Sequence, residues 1–440
     1  MKAEQGHPGG TAEGPGSLLV LGALSLLVGA AAGLVGGLFR LSLAWADRLR
    51  EALVGWAHDW SVAGFLLVTV TCAAATGVAA WLVRRFSPHA SGSGIPHVEA
   101  VLKEELLPAP SRLIPVKFVG GVLSIGSGLA LGREGPSVQM GASLAHLVGT
   151  VFRRGWPDCR ELLAAGAGAG LATAFNAPIA GAVFVLEELV RRFETRIAIA
   201  ALGASATAIA VARLFLGDAP EFRVEALPYP SPEASTLCVL LGAVAGFVAV
   251  AYNYALLGMI AGADRLGRWP VEWRAALVGG GVGILAWFAP GLVGGGEALT
   301  QRTLSGAVTL GVLPLVFLLR FGLGAVSYAA RTPGGLFAPM LVLGAQVGLL
   351  FGALCRLTFP GLDLPPEAFA VVAMAAFFTG VVRAPVTGIV LITEMTGSST
   401  MLLPMLGACF VAMLVPTLLG NAPIYDSLRE QARPGEQRGR

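Results

Sequence analysis

The pattern Gly-x-x-x-Pro occurs three times between apolar runs: Gly92-Ser-Gly-Ile-Pro96, Gly132-Arg-Glu-Gly-Pro136 and Gly335-Leu-Phe-Ala-Pro339. Proline suits the first turn of a helix, where its missing N–H would be unpaired anyway, and an upstream glycine lets the chain bend and a ligand approach. Each stretch therefore reads as a helix start. The unpaired amides and the positive dipole end of such a start suit an anion. A small anion in a low-dielectric interior costs on the order of tens of kcal/mol unless donors meet it. Neutral amides and hydroxyls hold it more loosely than a lysine would, so that it can leave again. Ser93 adds a hydroxyl donor to the first stretch. Ordinary loops capping membrane helices would share the pattern.

An ionisable group inside a membrane segment is expensive and is a functional candidate by default. Glu134 lies among the helix-start amides of the second stretch, so its carboxylate can use the donors that an anion would use. Once protonated it has no reason to stay. Proton and anion would then exchange places, with ionised Glu134 closing the route and protonated Glu134 opening it. The structural alternative is an ion pair with Arg133 or Lys117. Glu187 and Glu188 end a 25-residue uncharged run and precede Arg191 and Arg192, which fits a charge cluster at a helix end as well as it fits a functional role. His146, on an apolar stretch, reads as a buried histidine without a transport role.

The elements that would position these groups follow from composition. Of 440 residues, 30 are basic and 27 acidic, 55% are apolar and 60 are glycine. The charged fraction of 13% is about half that of a soluble globular chain. A polytopic, all-α membrane protein is the class this implies. Disorder is excluded by the apolar content, and a net charge of +3 cannot neutralise a phosphate track, which argues against nucleic acid. Cys72, Cys159, Cys238, Cys355 and Cys409 form no C-x-x-C pair and read as small buried residues, not as a disulfide frame or metal site. No metal and no cofactor is expected. A membrane-embedded hydrolase using Glu134 with Glu188 lacks an evident nucleophile or metal set.

A crossing helix needs roughly 20 apolar residues. Ser17–Phe39, Ser61–Val83, Gly135–Phe152, Leu162–Leu186, Ala234–Ala263, Ala275–Gly296, Thr332–Cys355 and Met395–Tyr425 are free of charge and long enough. Phe118–Gly132, Ile197–Ala212 and Ala368–Val382, at about 15 residues, are too short to cross unaided. Short segments broken by Gly and Pro suggest roughly ten to eighteen helical pieces, some ending inside the protein, as in transporters, and no strands. Residues 1–16 read as a disordered tail, and the apolar run behind them as a retained helix, being longer than a cleavable signal core. Gly29, Gly33 and Gly37 permit close helix contact.

Residues 214–233 turn polar and read as a linker. On either side an internal duplication is visible. Asn176-Ala-Pro-Ile-Ala-Gly181 followed by Glu187 matches Arg383-Ala-Pro-Val-Thr-Gly388 followed by Glu394 at an offset of 207 positions. Gly132, Pro136, Gly141 and Ala142 match Gly335, Pro339, Gly344 and Ala345 at an offset of 203. Residues 17–213 and 234–425 are therefore two related repeats, followed by a tail, 426–440. Identities alone do not say whether they are parallel or inverted. Arg429, Arg433, Arg438 and Arg440 favour a cytoplasmic C-terminus.

The three stretches, together with Ala174-Phe-Asn-Ala-Pro-Ile-Ala-Gly181, resemble the signature segments of the CLC family of chloride channels and chloride/proton antiporters, and the likeness runs from about Leu18 to Leu428. The resemblance implies two inverted repeats of broken, tilted helices and a homodimer with one anion route per subunit, in a cell membrane such as the bacterial inner membrane, both termini cytoplasmic. It implies that Ser93 and Tyr425 hold the anion by their hydroxyls, with the amides of Leu336 and Phe337 and the neighbouring backbone at Gly94, Ile95, Gly132, Arg133 and Gly335. Glu134 becomes the gating glutamate and Glu188 the internal proton-transfer residue, with Glu187 a helper or structural partner and Glu394 structural. A serine at position 93 implies chloride. His97 departs from the family, where many relatives carry an acidic residue after the proline. Chloride/proton exchange is the activity expected, with a passive chloride channel of the same fold as the alternative. Nucleotide-binding regulatory modules, and with them control by ATP, are not expected after Tyr425.

Overall fold

The computed structural model describes residues 15–265, 267 and 269–432. Apolar runs punctuated by Gly and Pro form helices that stop and restart. The first half comprises α1 (Pro15–Ala57), α2 (Ser61–Phe86), α3 (Ile95–Leu102), α4 (Leu113–Gly126), α5 (Glu134–Val151), α6 (Trp156–Phe175), α7 (Pro178–Phe184) and α8 (Thr195–Leu216). The second half repeats this order in α9 (Pro232–Arg265), α10 (Val271–Phe288), α11 (Glu297–Leu304), α12 (Leu313–Ala329), α13 (Phe337–Thr358), α14 (Pro366–Val382), α15 (Pro385–Thr396) and α16 (Leu402–Leu418), and α17 (Ile424–Ala432) closes the described chain. A wider π-helical turn, Val185–Leu189, extends α7. These seventeen α-helices among the described residues fall within the number of pieces expected. The only extended pairing found there is two isolated bridges, Gly92 with Pro333 and Gly132 with Gly335.

The orientation of the halves is legible in those bridges. Gly132 N–H donates to Gly335 O (2.8 Å) and Gly335 N–H donates to Gly132 O (2.6 Å). Equivalent residues bond reciprocally and antiparallel, which requires a local two-fold axis between them, so the repeats are inverted. A second reciprocal exchange agrees. The Glu187 carboxylate accepts from Val386 N (3.0 Å) and Thr387 N (2.6 Å) at the start of α15, while the Glu394 carboxylate accepts from Ile179 N (3.1 Å) and Ala180 N (2.7 Å) at the start of α7. Each satisfies orphan amides of the other half, a kind of contact worth about 1–2 kcal/mol.

Packing also repeats. A Cβ on Gly29 or Gly33 of α1 would strike the main chain of Ala204 or Ala208 on α8, and one on Gly242 of α9 would strike Ala408 on α16. The glycine stripe is thus spent on contacts within the chain, where small residues let membrane helices approach closely. Helices α6 and α14 are apolar all round and lie in the centre, with Leu162–Phe175 and Ala368–Val382 buried along their length. Outward faces remain apolar, for example Leu19, Leu403, Leu406 and Phe410, as lipid contact demands. The run Ser17–Phe86 and the helices Thr195–Leu216, Pro232–Arg265 and Phe337–Thr358 are long and apolar enough to cross a membrane.

Counting uncharged residues misjudges several boundaries. Leu162–Leu186 does not form one long element, because Asn176 turns left-handed (φ 54°) and Pro178 starts a new helix. Ile197–Ala212 is not too short, since it lies within the 22-residue α8, with Arg196 and Arg213 near its ends where long cationic stems reach out of the apolar zone. The first apolar run continues past Arg40 as a 43-residue helix, and α1 takes in Pro15 and Gly16 of the expected tail. Residues 1–14 of that tail lie outside the described residues. At the other end α17 crosses the expected start of the C-terminal tail, and residues 433–440 lie outside the described residues. Arg429 is no free tail charge, because it pairs with Glu99 (2.7 Å) and Asp426 (3.1 Å).

Candidate anion-binding site

Three helix starts, α3, α5 and α13, are stitched together by main-chain bonds. Besides the Gly132–Gly335 exchange, Gly92 N donates to Thr332 O (3.0 Å) and Gly334 N donates to Gly92 O (3.1 Å). Gly94 adopts φ 87° just before α3, a conformation open to glycine at little cost. A Cβ on Gly135 would collide with Ser93 Oγ, so the serine hydroxyl lies directly against the first turn of α5. Tyr425, brought in by α17, lies over Phe337 at the start of α13, with ring centroids 6.1 Å apart and planes 25° apart. Prolines 96, 136 and 339 occupy first-turn positions whose amides have no intrahelical acceptor, leaving their neighbours' N–H groups to face the junction.

Ser93, Glu134 and Tyr425 are each 0% exposed. Neither the Ser93 nor the Tyr425 hydroxyl has a hydrogen-bond partner among the described residues, and no side chain there bonds the Glu134 carboxylate, which lies near the main-chain amides of Glu134 and Ala338. Buried polar atoms without partners mark a place where a polar ligand belongs. The Glu134 carboxylate sits over Gly132, where a Cβ would strike Oε2, and beside the backbone of Gly335 and Ala338. The same atoms would surround an anion, and this makes competition between the two physically direct.

The structural alternative for Glu134 fails on its proposed partners. Lys117, fully buried in α4, donates to Ala90 O (3.1 Å) and Gly92 O (2.7 Å). Arg133 donates to Ala174 O (2.9 Å) and pairs with Glu221. Adjacent residues on a helix do not face each other. Of Arg133, then, only the backbone is available to the junction.

Several residues missed in the sequence support the site. Lys117 and Arg320 stand at the same offset, 203, and do the same work. Arg320 grips Leu292 O (3.0 Å), Gly294 O (2.9 Å) and Gly295 O (3.1 Å) ahead of α11, as Lys117 grips the loop ahead of α3. A buried base in each apolar run was the available signal. Tyr328 accepts from Ser93 N (3.4 Å) and fixes the serine loop.

Glu188 lies elsewhere, on the side of α17. Its carboxylate is within 3.4 Å of Arg191, which also meets Glu99 (3.4 Å) and Asp426 (2.9 Å). Glu99, 0% exposed, receives Lys103 (2.7 Å) and Arg429 as well. Glu187 points away from this cluster, to α15. A cavity of about 1250 Å³ lined by Gly92, Gly94, His97, Tyr328, Arg331 and Arg429 opens from the same side onto the serine loop. His97 lines it, beside His89, with ring centroids 4.7 Å apart. His146 is half-buried and stands apart from the junction.

Uncharged donors at crossed helix starts, a buried carboxylate among them and inverted repeats form one arrangement. A family model described as voltage gated chloride channel matches residues 75–417. The chain belongs to this family, the CLC family. It is similar to the H(+)/Cl(−) exchange transporter ClcA of Cronobacter sakazakii, at 40% identity over 418 residues, covering 92% of this chain and 88% of the relative. Among solved CLC structures, that of a slow cyanobacterial Cl−/H+ antiporter superposes with a TM-score of 0.89 at 32% identity, covering 96% of this chain and 98% of the other. A eukaryotic CLC transporter superposes with a TM-score of 0.77 at 26% identity, covering 94% of this chain and 74% of the other. The resemblance carried by the signature segments is therefore a family membership, and the inverted-repeat architecture is the one these CLC structures share.

Proposed function

We propose that this CLC protein exchanges chloride for protons, in opposite directions, across a membrane. The observation that carries the reading is the Glu134 carboxylate, fully buried and unpaired among helix-start amides. Its relatives are named as exchangers, and Glu188 keeps a second ionisable group on the α17 side, which a passive channel does not need.

In this mechanism chloride sits between the hydroxyls of Ser93 and Tyr425 and the amides of Leu336 and Phe337. The backbone from Gly94 to Ile95, at Gly132 and Arg133 and at Gly335 shapes its seat. Each charge-assisted hydrogen bond contributes about 1.5–3 kcal/mol, so four or so contribute about 6–12 kcal/mol toward the desolvation cost without a bound cation. Ionised Glu134 occupies the adjoining donors over Gly132 and Gly335 and excludes the anion from them, which closes the route. Protonated, it loses its attraction to those amides, swings aside and admits chloride. Glu188 passes protons between the interior and the cluster around Arg191. Glu187 acts as a cap on α15 and not as a proton helper. The repeats are residues 17–213 and 234–425 joined by 214–233, the protein works as a homodimer in the cell membrane, and both termini face the cytoplasm.

Purified protein in sealed vesicles with a chloride gradient tests the reading. Protons are expected to move uphill against their own gradient as chloride runs down. Chloride flux with no proton movement would assign a channel instead.

A further inference from the structure

The segment joining the halves is bound beside the gate. Between α8 and α9, Glu221 pairs with Arg40 of α1 (2.7 Å) and with Arg133. Its side chain is only 10% exposed. Phe222, next to it, is buried, and its N–H donates to Met395 O (2.9 Å). Arg223 N donates to Gln301 Oε1 (2.9 Å) and Gln301 Nε2 returns a bond to Arg223 O (2.8 Å). A polar linker held this closely across both repeats is a strap, not a tether.

The strap delivers its carboxylate to the residue preceding Glu134. The charged and titratable groups around Glu134 are Arg133 on its own segment, Glu297 from the start of α11 and Tyr425 from α17. Arg133 in turn meets Glu221 closely and Glu297 at 3.8 Å, and Arg40 lies behind Glu221. We infer that Glu221 sets how much of the Arg133 charge Glu134 feels, and so the proton concentration at which the gate opens. Glu221 is a positioning residue for the gate, an inference that rests on the gating role proposed for Glu134.

The sign follows from electrostatics. Without the Glu221 charge, Arg133 is less neutralised, ionised Glu134 is held more firmly and a lower pH is needed to release it. Without the Arg40 charge, Glu221 acts more strongly on Arg133 and release needs less acid. A unit charge removed one contact beyond a neighbouring ion pair is worth about one pH unit. Loosening of the strap by itself has no reason to give opposite signs.

The test measures chloride flux against pH in vesicles for Glu221→Gln, Arg40→Gln and each combined with Glu134→Ala. The midpoint is expected to move about one unit toward acid for Glu221→Gln and toward alkali for Arg40→Gln, and neither substitution should alter the profile once Glu134 is alanine. Shifts of the same sign, unchanged midpoints or effects that persist in the alanine background would overturn the inference. If Glu221→Gln does not yield folded protein, Arg40→Gln decides: an alkaline shift supports the inference and any other result overturns it. Should Glu134→Ala alone keep the wild-type pH dependence, the gating role itself fails. A pH-independent Glu134→Ala with unmoved Glu221→Gln and Arg40→Gln midpoints sinks the strap alone.

Discussion

Glu134→Ala is expected to leave chloride flux intact in vesicles while chloride-driven proton movement falls by about 10² or more, a loss of the size seen when a positioned proton-transfer group is removed. The remaining flux should be flat against pH. The physical reason is that, among the described residues, the carboxylate is the only acidic group placed directly over the Gly132–Gly335 exchange, where a Cβ would meet it. Alanine removes both the barrier and the proton acceptor. The fold should tolerate the change. Lys117 is satisfied by carbonyls and Arg133 by Glu221 and Ala174, so no orphan cation results. Removing an unpaired buried charge carries no stability cost of the kind that breaking a buried ion pair does. Ion-flux recordings with simultaneous pH and chloride electrodes, and a thermal melt of the purified variant, check both halves of the expectation.

Glu188→Gln should separate the two ions in a different way. Glutamine keeps the shape but cannot take up a proton, so proton flux is expected to drop by about tenfold to a hundredfold while chloride flux changes by a few-fold at most. Arg191 retains Asp426 at 2.9 Å and Glu99 at 3.4 Å, which holds the cluster together. The proposed anion site, at Ser93, Phe337 and Tyr425, is not rebuilt. Equal losses of both ions, measured in the same vesicles, would instead assign Glu188 to the structure.

The helix starts were legible because Gly and Pro carry backbone information directly, and Ser93, Glu134 and Tyr425 do lie at them. Inversion was not legible in the duplication itself, since matching identities carry no direction. The family resemblance implied it, and the reciprocal bonds of Gly132 with Gly335 and of Glu187 with α15 show it. Adjacency leaves Glu187 open between a helper of Glu188 and a structural partner, because successive residues on a helix point to different sides; Glu187 reaches the start of α15, while Glu188 meets Arg191. Charge counting hid the break at Asn176, because a left-handed residue need not be charged. Glu221 could not be placed at all from the sequence, its partners Arg40 and Arg133 being 181 and 88 residues away. Lys117 and Arg320 were readable, as buried bases at one repeat offset, but only to a reader looking for cations that hold backbone carbonyls and not for ligands of the anion.

The claim that a carboxylate and a halide compete for one set of donors is tested most directly by anomalous scattering from bromide-soaked crystals of the wild-type protein and of Glu134→Gln at one pH. Bromide is expected beside the Ser93 and Tyr425 hydroxyls in both, with an additional peak in the variant at the place the Glu134 carboxylate occupies in the wild type. Identical bromide peaks in the two proteins, or none near Ser93 and Tyr425, would contradict it.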